Sequence, residues 1–420
     1  METFPQWVVI LIGIIVLSRL VALLARRFDL SNISIQLLIG ILLGPSVLNL
    51  LGVPMILGTW GSPSSGPLHS ALKILAEVGL IQLMFLAGLK VDWRDLKKVV
   101  VTSFSVSAWG FGLTAASVLV LTRLFVDDWS GALAMSAIMS ASSFGIAIHY
   151  FSERKVRGSR VENIASGAAV LSGLLAILLM IASQATNYAA VHGAFKMTVA
   201  VSWFFAKLGM FLAFTYFLTS RYLRLALKSG FPKRPRQMLI GYLLLVASLY
   251  AWAAIHFGSF AAVGVASLGG GLLGTSNLEV KERIANGLES TLALIPVGIL
   301  LTVIGMEVNL KAAESSISFL AVLIIVVIST KLIGYWIATT KRYPSLHERV
   351  FIMFGALAQG EMGILIGAYL FSRGVLDPQF FSTGILVAVG LTMVSPLLMR
   401  IVSAQLRQEK LNNALFERGR

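Results

Sequence analysis

Twenty-four consecutive residues, ISFLAVLIIVVISTKLIGYWIATT from Ile317 to Thr340, carry a single charge, the ammonium of Lys331. As a helix rising about 1.5 Å per residue, such a run is roughly 36 Å long, and the hydrocarbon of a bilayer is about 30 Å thick. A spanning helix satisfies every backbone N–H and C=O within itself, which lipid demands and few other folds provide. Lys331 lies roughly 15 Å along the helix from Lys341, beyond the reach of its own stem to either interface. An ammonium held there needs a partner inside the membrane.

The rest of the chain repeats the pattern. Its 420 residues are 57% hydrophobic and 13% charged, with a mean hydropathy of +0.85, which leaves too little charge to clothe a soluble protein of this size. The apolar stretches run to about 20 residues rather than alternating over about 10, which implies helices and excludes an outer-membrane barrel. Cysteine is absent, so disulfides and thiolate chemistry are excluded. His69, His149, His192, His256 and His347 are scattered without ligand spacing, so no metal site and no cofactor is expected.

Breaking the chain at charged and Gly/Pro/Asn clusters predicts thirteen spans: 6–26, 33–51, 70–89, 99–123, 130–151, 161–186, 196–220, 237–257, 259–276, 287–307, 315–340, 348–372 and 379–403. Alternate loops differ sharply in basic charge. RRFDLSN, KVDWRDLKK, ERKVRGSR, RYLRLALKSGFPKRPR, KERIAN, KRYPSLHER and the tail from Arg400 hold 26 of the 34 lysines and arginines. The opposite loops hold four, Arg123, Lys196, Lys311 and Arg373. The basic set is therefore expected in the cytoplasm, with the N-terminus outside and the C-terminus inside. Dispersal of the +15 net charge over short loops argues against a nucleic-acid partner and for anionic lipid. METFPQWVVILIGIIVL lacks a basic leader region and reads as a retained first span. No soluble domain of useful size is evident, so any activity belongs in the membrane and enzyme chemistry is not expected.

GIAIHYFSER (Gly145–Arg154) and GILIGAYLFSRG (Gly363–Gly374) resemble each other at an offset of 218 residues, each after a polar stretch, SASS and AQGE. Seven spans separate them, an odd number, so the copies face opposite ways. Inverted repeats with broken helices meeting near the midplane are a secondary-transporter architecture.

Several stretches resemble the cation/proton antiporter superfamily, in particular its bacterial sodium/proton and potassium-efflux branch. They are IGILLGPSVLNLLG (39–52), LAEVGLIQLMFLAGLKVDWRDLKKV (75–99), SASSFGIAIHYFSERK, IPVGILLTVIGMEVNL (295–310), STKLIGYWIA with Lys331, and GALAQGEMGILIGAYL (355–370) with Glu361. The resemblance runs nearly the whole chain in order. It implies an all-α polytopic membrane protein of about thirteen transmembrane helices, built as two inverted six-helix repeats with crossing broken helices. The first repeat falls at 6–190, the linking helix at 196–220 and the second repeat at 237–404, followed by a cytoplasmic tail at 405–420. It also implies a homodimer through the N-terminal spans, in a bacterial inner membrane, with protons and a monovalent cation as partners. The tail is too short for a nucleotide-binding regulatory domain, which leaves pH, lipid or a separate subunit for regulation.

The pattern departs from the family in one place. The sixth span of relatives carries a carboxylate after small residues; here SGAAVLSGLLAILLM (166–180) puts Ser172 and Gly173 there, with no acid from Asn163 to the end of the span. Three resolutions are open. Lys331 gives up its proton, or it finds another acid (Glu361 first, Glu77 second), or its site takes an anion. A fourth role is structural, the ammonium donating to carbonyl ends where helices cross. Glu361 is either a displaced proton carrier or a residue that fixes its broken helix. Ser142, Ser143, Ser172 and Gln359 offer neutral oxygens to Na⁺ or K⁺, or serve as packing polar groups. Lys207 reads as an interface or lipid contact, and SLGGGLLGTS (267–276) as close helix packing rather than a nucleotide loop. The functions that follow are a cation:proton antiporter with an atypical site, an anion transporter on the same scaffold, or a relative that senses or assembles without transporting.

Overall fold

A computed structural model describes residues 6–27, 32–44, 46–47, 67–90, 93–142, 160–192, 295–314, 316–340, 346–357 and 359–395, with isolated positions between 198 and 248 and at 397 and 398. All its regular elements among these residues are helical: α1 (Gln6–Arg27), α2 (Asn32–Leu43), α3 (Pro67–Lys90), α4 (Trp93–Phe125), α5 (Trp129–Ser140), α6 (Arg160–His192), α7 (Ile295–Met306), α8 (Leu310–Glu314), α9 (Ile317–Thr340), α10 (Leu346–Leu357), α11 (Gly360–Ser372) and α12 (Pro378–Ser395). Five apolar stretches, Val99–Phe125, Gly167–Ala190, Ile317–Thr340, Ile352–Ser372 and Pro378–Ser395, are long enough to cross a membrane. Each overlaps an expected span. The expected seventh, eighth and ninth spans, with Lys207 and the glycine run, lie outside the described residues.

The helices sort into two packing groups. α7 packs against α1, α2 and α3, while α4, α5, α6, α9, α10 and α11 pack among themselves. α12 joins the second group, its Phe381 stacked on Phe371 of α11 at 4.3 Å. Glycine sets the closest crossings. A Cβ on Gly40 of α2 would lie 2.1 Å from the Thr302 carbonyl oxygen, and one on Gly305 of α7 would lie 2.3 Å from that of Leu37. In the second group a Cβ on Gly334 of α9 would meet the Trp109 carbonyl oxygen at 2.7 Å. Without a hydrophobic drive between helices in lipid, such backbone approach is how they gain contact. Buried hydroxyls are kept quiet by their own helices: Thr114, Ser136, Ser140, Thr302 and Thr392 each donate to the carbonyl four residues earlier.

Helix boundaries recur along the chain. The residues that end α5 and α10, Ser140 and Leu357, are 217 apart; the residues that open α6 and α12, Arg160 and Pro378, are 218 apart. The same spacing relates the sequence GLKVDW (88–93), which joins α3 to α4, to GMEVNL (305–310), which joins α7 to α8. The two stretches differ in charge, with Lys90 in one and Glu307 in the other. These coincidences extend the 218-residue offset seen between the two polar breaks.

Local chemistry sets the ends that matter most. Asp128 caps α5 by accepting from the backbone N–H groups of Ser130 and Gly131. Burial pushes its carboxyl up, but the Ser130 hydroxyl, those N–H groups and Arg123 outweigh it and hold the group below its ordinary value. α11 stops where Gly374 turns left-handed (φ 67°), and its N–H and those of Arg373 and Val375 close the last carbonyls.

Candidate functional site

Two helices stop inside the protein. α5 ends after Ser140 because Ala141 swings to an extended ψ of 139°. α10 ends at Leu357, and α11 starts at Gly360 with Gln359 as its N-cap. A helix end leaves carbonyl oxygens without intrahelical donors, and in lipid no water replaces them. Here the donors come from side chains. The Gln359 amide nitrogen donates to the Met139 carbonyl at 2.8 Å, tying the second break to the end of α5. The Lys331 Nζ donates to the Ala141 carbonyl at 2.8 Å and to the Ala356 carbonyl at 3.4 Å.

That pair of contacts answers what balances the buried ammonium. Lys331 is fully buried, 0% exposed, and on α9 it faces the carbonyl ends of α5 and α10. Each helix C-terminus carries about −0.5 elementary charge, so two together roughly neutralise one lysine. Both contacts go to carbonyl oxygens at the free ends of helices. Glu77 sits elsewhere, exposed on α3 in the other packing group, with Lys73 as its charged neighbour.

The remaining expected residues divide. Ser142 and Ser172 meet: the Ser142 N–H donates to the Ser172 Oγ at 3.3 Å, and that hydroxyl donates to the Ala169 carbonyl at 2.9 Å. Gly173 faces α11, where a Cβ would lie 3.6 Å from Met362 Cγ and 3.7 Å from Cε. The thioether side chain of Met362 therefore covers Gly173. Gln359 is fully buried, and its Oε1 has no hydrogen-bond partner among the described residues. Glu361 lies in the first turn of α11, and its side chain is outside the description, as is the whole of Ser143.

Three residues escaped the sequence reading. Tyr335, one turn beyond Lys331 on α9, is 1% exposed, and its hydroxyl lies 2.9 Å from Ser142 Oγ. Its spacing of four from Lys331 puts both on one helical face, a signal that was available. Met362 was invisible because nothing in a sequence says which side chain covers Gly173. Glu307, a buried acid at the α7–α8 elbow, could have been found by aligning that elbow with GLKVDW.

The Ala141 and Ala356 carbonyls accept from Lys331, Ser142 Oγ is bonded to Tyr335, and Gln359 Oε1 has no partner among the described residues. Carbonyl and hydroxyl oxygens of this kind replace the hydration shell of an alkali cation.

Comparison with known proteins agrees with this geometry. The transmembrane sodium/hydrogen exchanger family matches residues 12–403. A Na⁺/H⁺ antiporter of Enterococcus hirae is 22% identical over 395 residues, covering 94% of this chain and 97% of its own. The Na⁺/H⁺-K⁺ antiporter GerN of Bacillus cereus is 22% identical over 390 residues, covering 93% and 94%. In structure, the sodium proton antiporter MjNhaP1 of Methanocaldococcus jannaschii superposes with a TM-score of 0.66 at 14% identity, over 96% of this chain and 97% of that one. With two helix ends tied together inside the protein, a lysine between them and a family match over almost the whole length, the chain belongs to the sodium/hydrogen exchanger family, a family of membrane transporters and not of enzymes.

Proposed function

We propose that this chain is a secondary active transporter that exchanges a monovalent cation, Na⁺ or K⁺, for protons by alternating access, with Lys331 in place of the sixth-span carboxylate as the exchanging group. The contact that carries the reading is the ammonium on the Ala141 and Ala356 carbonyls. When Lys331 releases its proton to water, the same oxygens become ligands for an arriving cation, joined by Ser142 Oγ and Gln359 Oε1. Proton leaves as cation enters, so each excludes the other and the two flows are coupled. The halves of the chain, 6–190 and 237–404, act as inverted repeats joined by a linking helix at 196–220. The basic loops face the cytoplasm of a bacterial inner membrane, with anionic lipid beside them, and the N-terminal spans form a homodimer.

The test is proton flux in proteoliposomes on addition of Na⁺, K⁺ or Li⁺. Cation-dependent flux that disappears in Lys331→Ala supports antiport, and silence in every salt from a stably folded protein refutes it. One observation favours a second reading, a non-transporting relative: Lys331, Gln359 and Ser172 already satisfy carbonyls of the protein itself. Where flux is present, Lys331→Arg separates a lysine that exchanges its proton from one that only clamps the helix ends. Arginine keeps its charge at all accessible pH, so it can clamp the helix ends but cannot exchange a proton. Flux retained in Lys331→Arg would assign the lysine to the clamp.

A further inference from the structure

Beside the lysine lies a cavity bounded by Ser142, by Ala165, Ala168 and Ala169 of α6, by Tyr335, and by Ile352, Gly355 and Ala356 of α10. About 10 Å³ of it is open to the centre of a water molecule, room for roughly one water. Its walls come wholly from the second packing group, and one of them, Ala356, offers the carbonyl that accepts from Lys331 at 3.4 Å. Its polar side chains are the two hydroxyls, Ser142 Oγ and Tyr335 Oη, 2.9 Å apart and bonded to each other. The tyrosine ring cannot easily move. It lies on Gly110 of α4, where a Cβ would come within 2.5 Å of its Cζ. Ser142, by contrast, stands just past the point where α5 stops.

We propose that this cavity is the water entrance to the Lys331 site and that Tyr335 is its latch, a positioning residue whose hydroxyl holds Ser142 across the path. While the pair is bonded, water is kept from the ammonium. When Ser142 turns away, water from outside enters the cavity, reaches the Ala356 carbonyl, and Lys331 can exchange its proton. The fixed ring supplies the anchor, and the Ser142 side chain, turning about its Cα–Cβ bond, supplies the moving part. This rests on Lys331 being the exchanging group, but its test does not require transport.

The chain contains no cysteine, so a single one reports cleanly. Ala168→Cys, buried on the cavity wall at 2% exposure, is reacted with a water-soluble methanethiosulfonate in the folded protein. Tyr335→Phe removes one oxygen and keeps the ring on Gly110. Losing one buried hydrogen bond of ordinary net strength raises the open fraction about fivefold, and the labelling rate should rise by that factor. Ser142→Ala should do the same, and the double variant should gain nothing more, because both remove one bond. An unchanged rate in Tyr335→Phe, or additive gains in the double variant, overturns the latch. If Ala168→Cys does not fold, Ala165→Cys on the same wall serves as reporter. Failure of antiport would appear as absent cation-dependent flux in the unaltered protein, whatever the labelling shows.

Discussion

Exchange at Lys331 should be electroneutral, one cation for one proton. In the proton-loaded state the site holds R–NH₃⁺; in the cation-loaded state it holds R–NH₂ and M⁺. Both carry one positive charge on the same oxygens. Among the described residues the buried charged side chains are Lys331 and Glu307, and Glu307 follows α7 in the other packing group, so no second buried charge is described at the site. A membrane potential then has no purchase on the cycle's overall energy. Had one net charge crossed per cycle, 100 mV would supply about 2.3 kcal/mol, close to fiftyfold in the gradient the carrier can hold. The assay is a null-point measurement in proteoliposomes: the sodium gradient at which proton flux vanishes is found at zero potential and again at 100 mV. The null gradient should coincide within error. A displacement approaching fiftyfold would refute the single-group account and require another titrating residue, for which Glu361→Gln is the first test.

Three further outcomes follow from the geometry. Gly173→Asp combined with Met362→Ala, which clears the thioether 3.6 Å from the new Cβ, should fold and lower the apparent KM for Na⁺ at least tenfold, since an opposite charge a few ångströms away is worth more than 1.4 kcal/mol even at intermediate dielectric; an unchanged KM would show that the pocket no longer reaches the cation. Gly40→Ala drives a Cβ against backbone at Thr302 and Gly305 and should cost about 1–3 kcal/mol or more, seen as a lower melting temperature in detergent, whereas Gly112→Ala, with nothing within 4 Å, should be neutral. Asp128→Ala removes the cap of α5 and should cost about 1 kcal/mol at pH 7; because the folded carboxyl titrates below its ordinary value, that stabilisation is present above pH 4 and fades as acid protonates it, so melting curves of variant and parent should converge at low pH.

Much of this architecture could be read from residues alone, because lipid enforces simple rules. Unbroken apolar runs such as Ile317–Thr340 have one solution. The polar stretches SASS and AQGE mark where helices stop, and α5 and α10 end there. The partner of Lys331 was harder, for a physical reason. Backbone carbonyls belong to every residue, so Ala141 and Ala356 carry no mark that they will hold an ammonium. Donation to carbonyl ends where helices cross is among the roles the sequence leaves open to Lys331, but nothing in it names the two ends. The second repeat signal, GLKVDW against GMEVNL, stood in the sequence but was masked by its reversal of charge.

The shared caps also constrain how anything could be carried across. Gln359, between α10 and α11, holds the end of α5, and Lys331 of α9 holds α5 and α10 at once. Neither interrupted span can tilt alone without tearing a bond from the other. In the proposed transport cycle this knotted unit shifts whole, sliding against α1, α2, α3 and α7 as a sled against its rail.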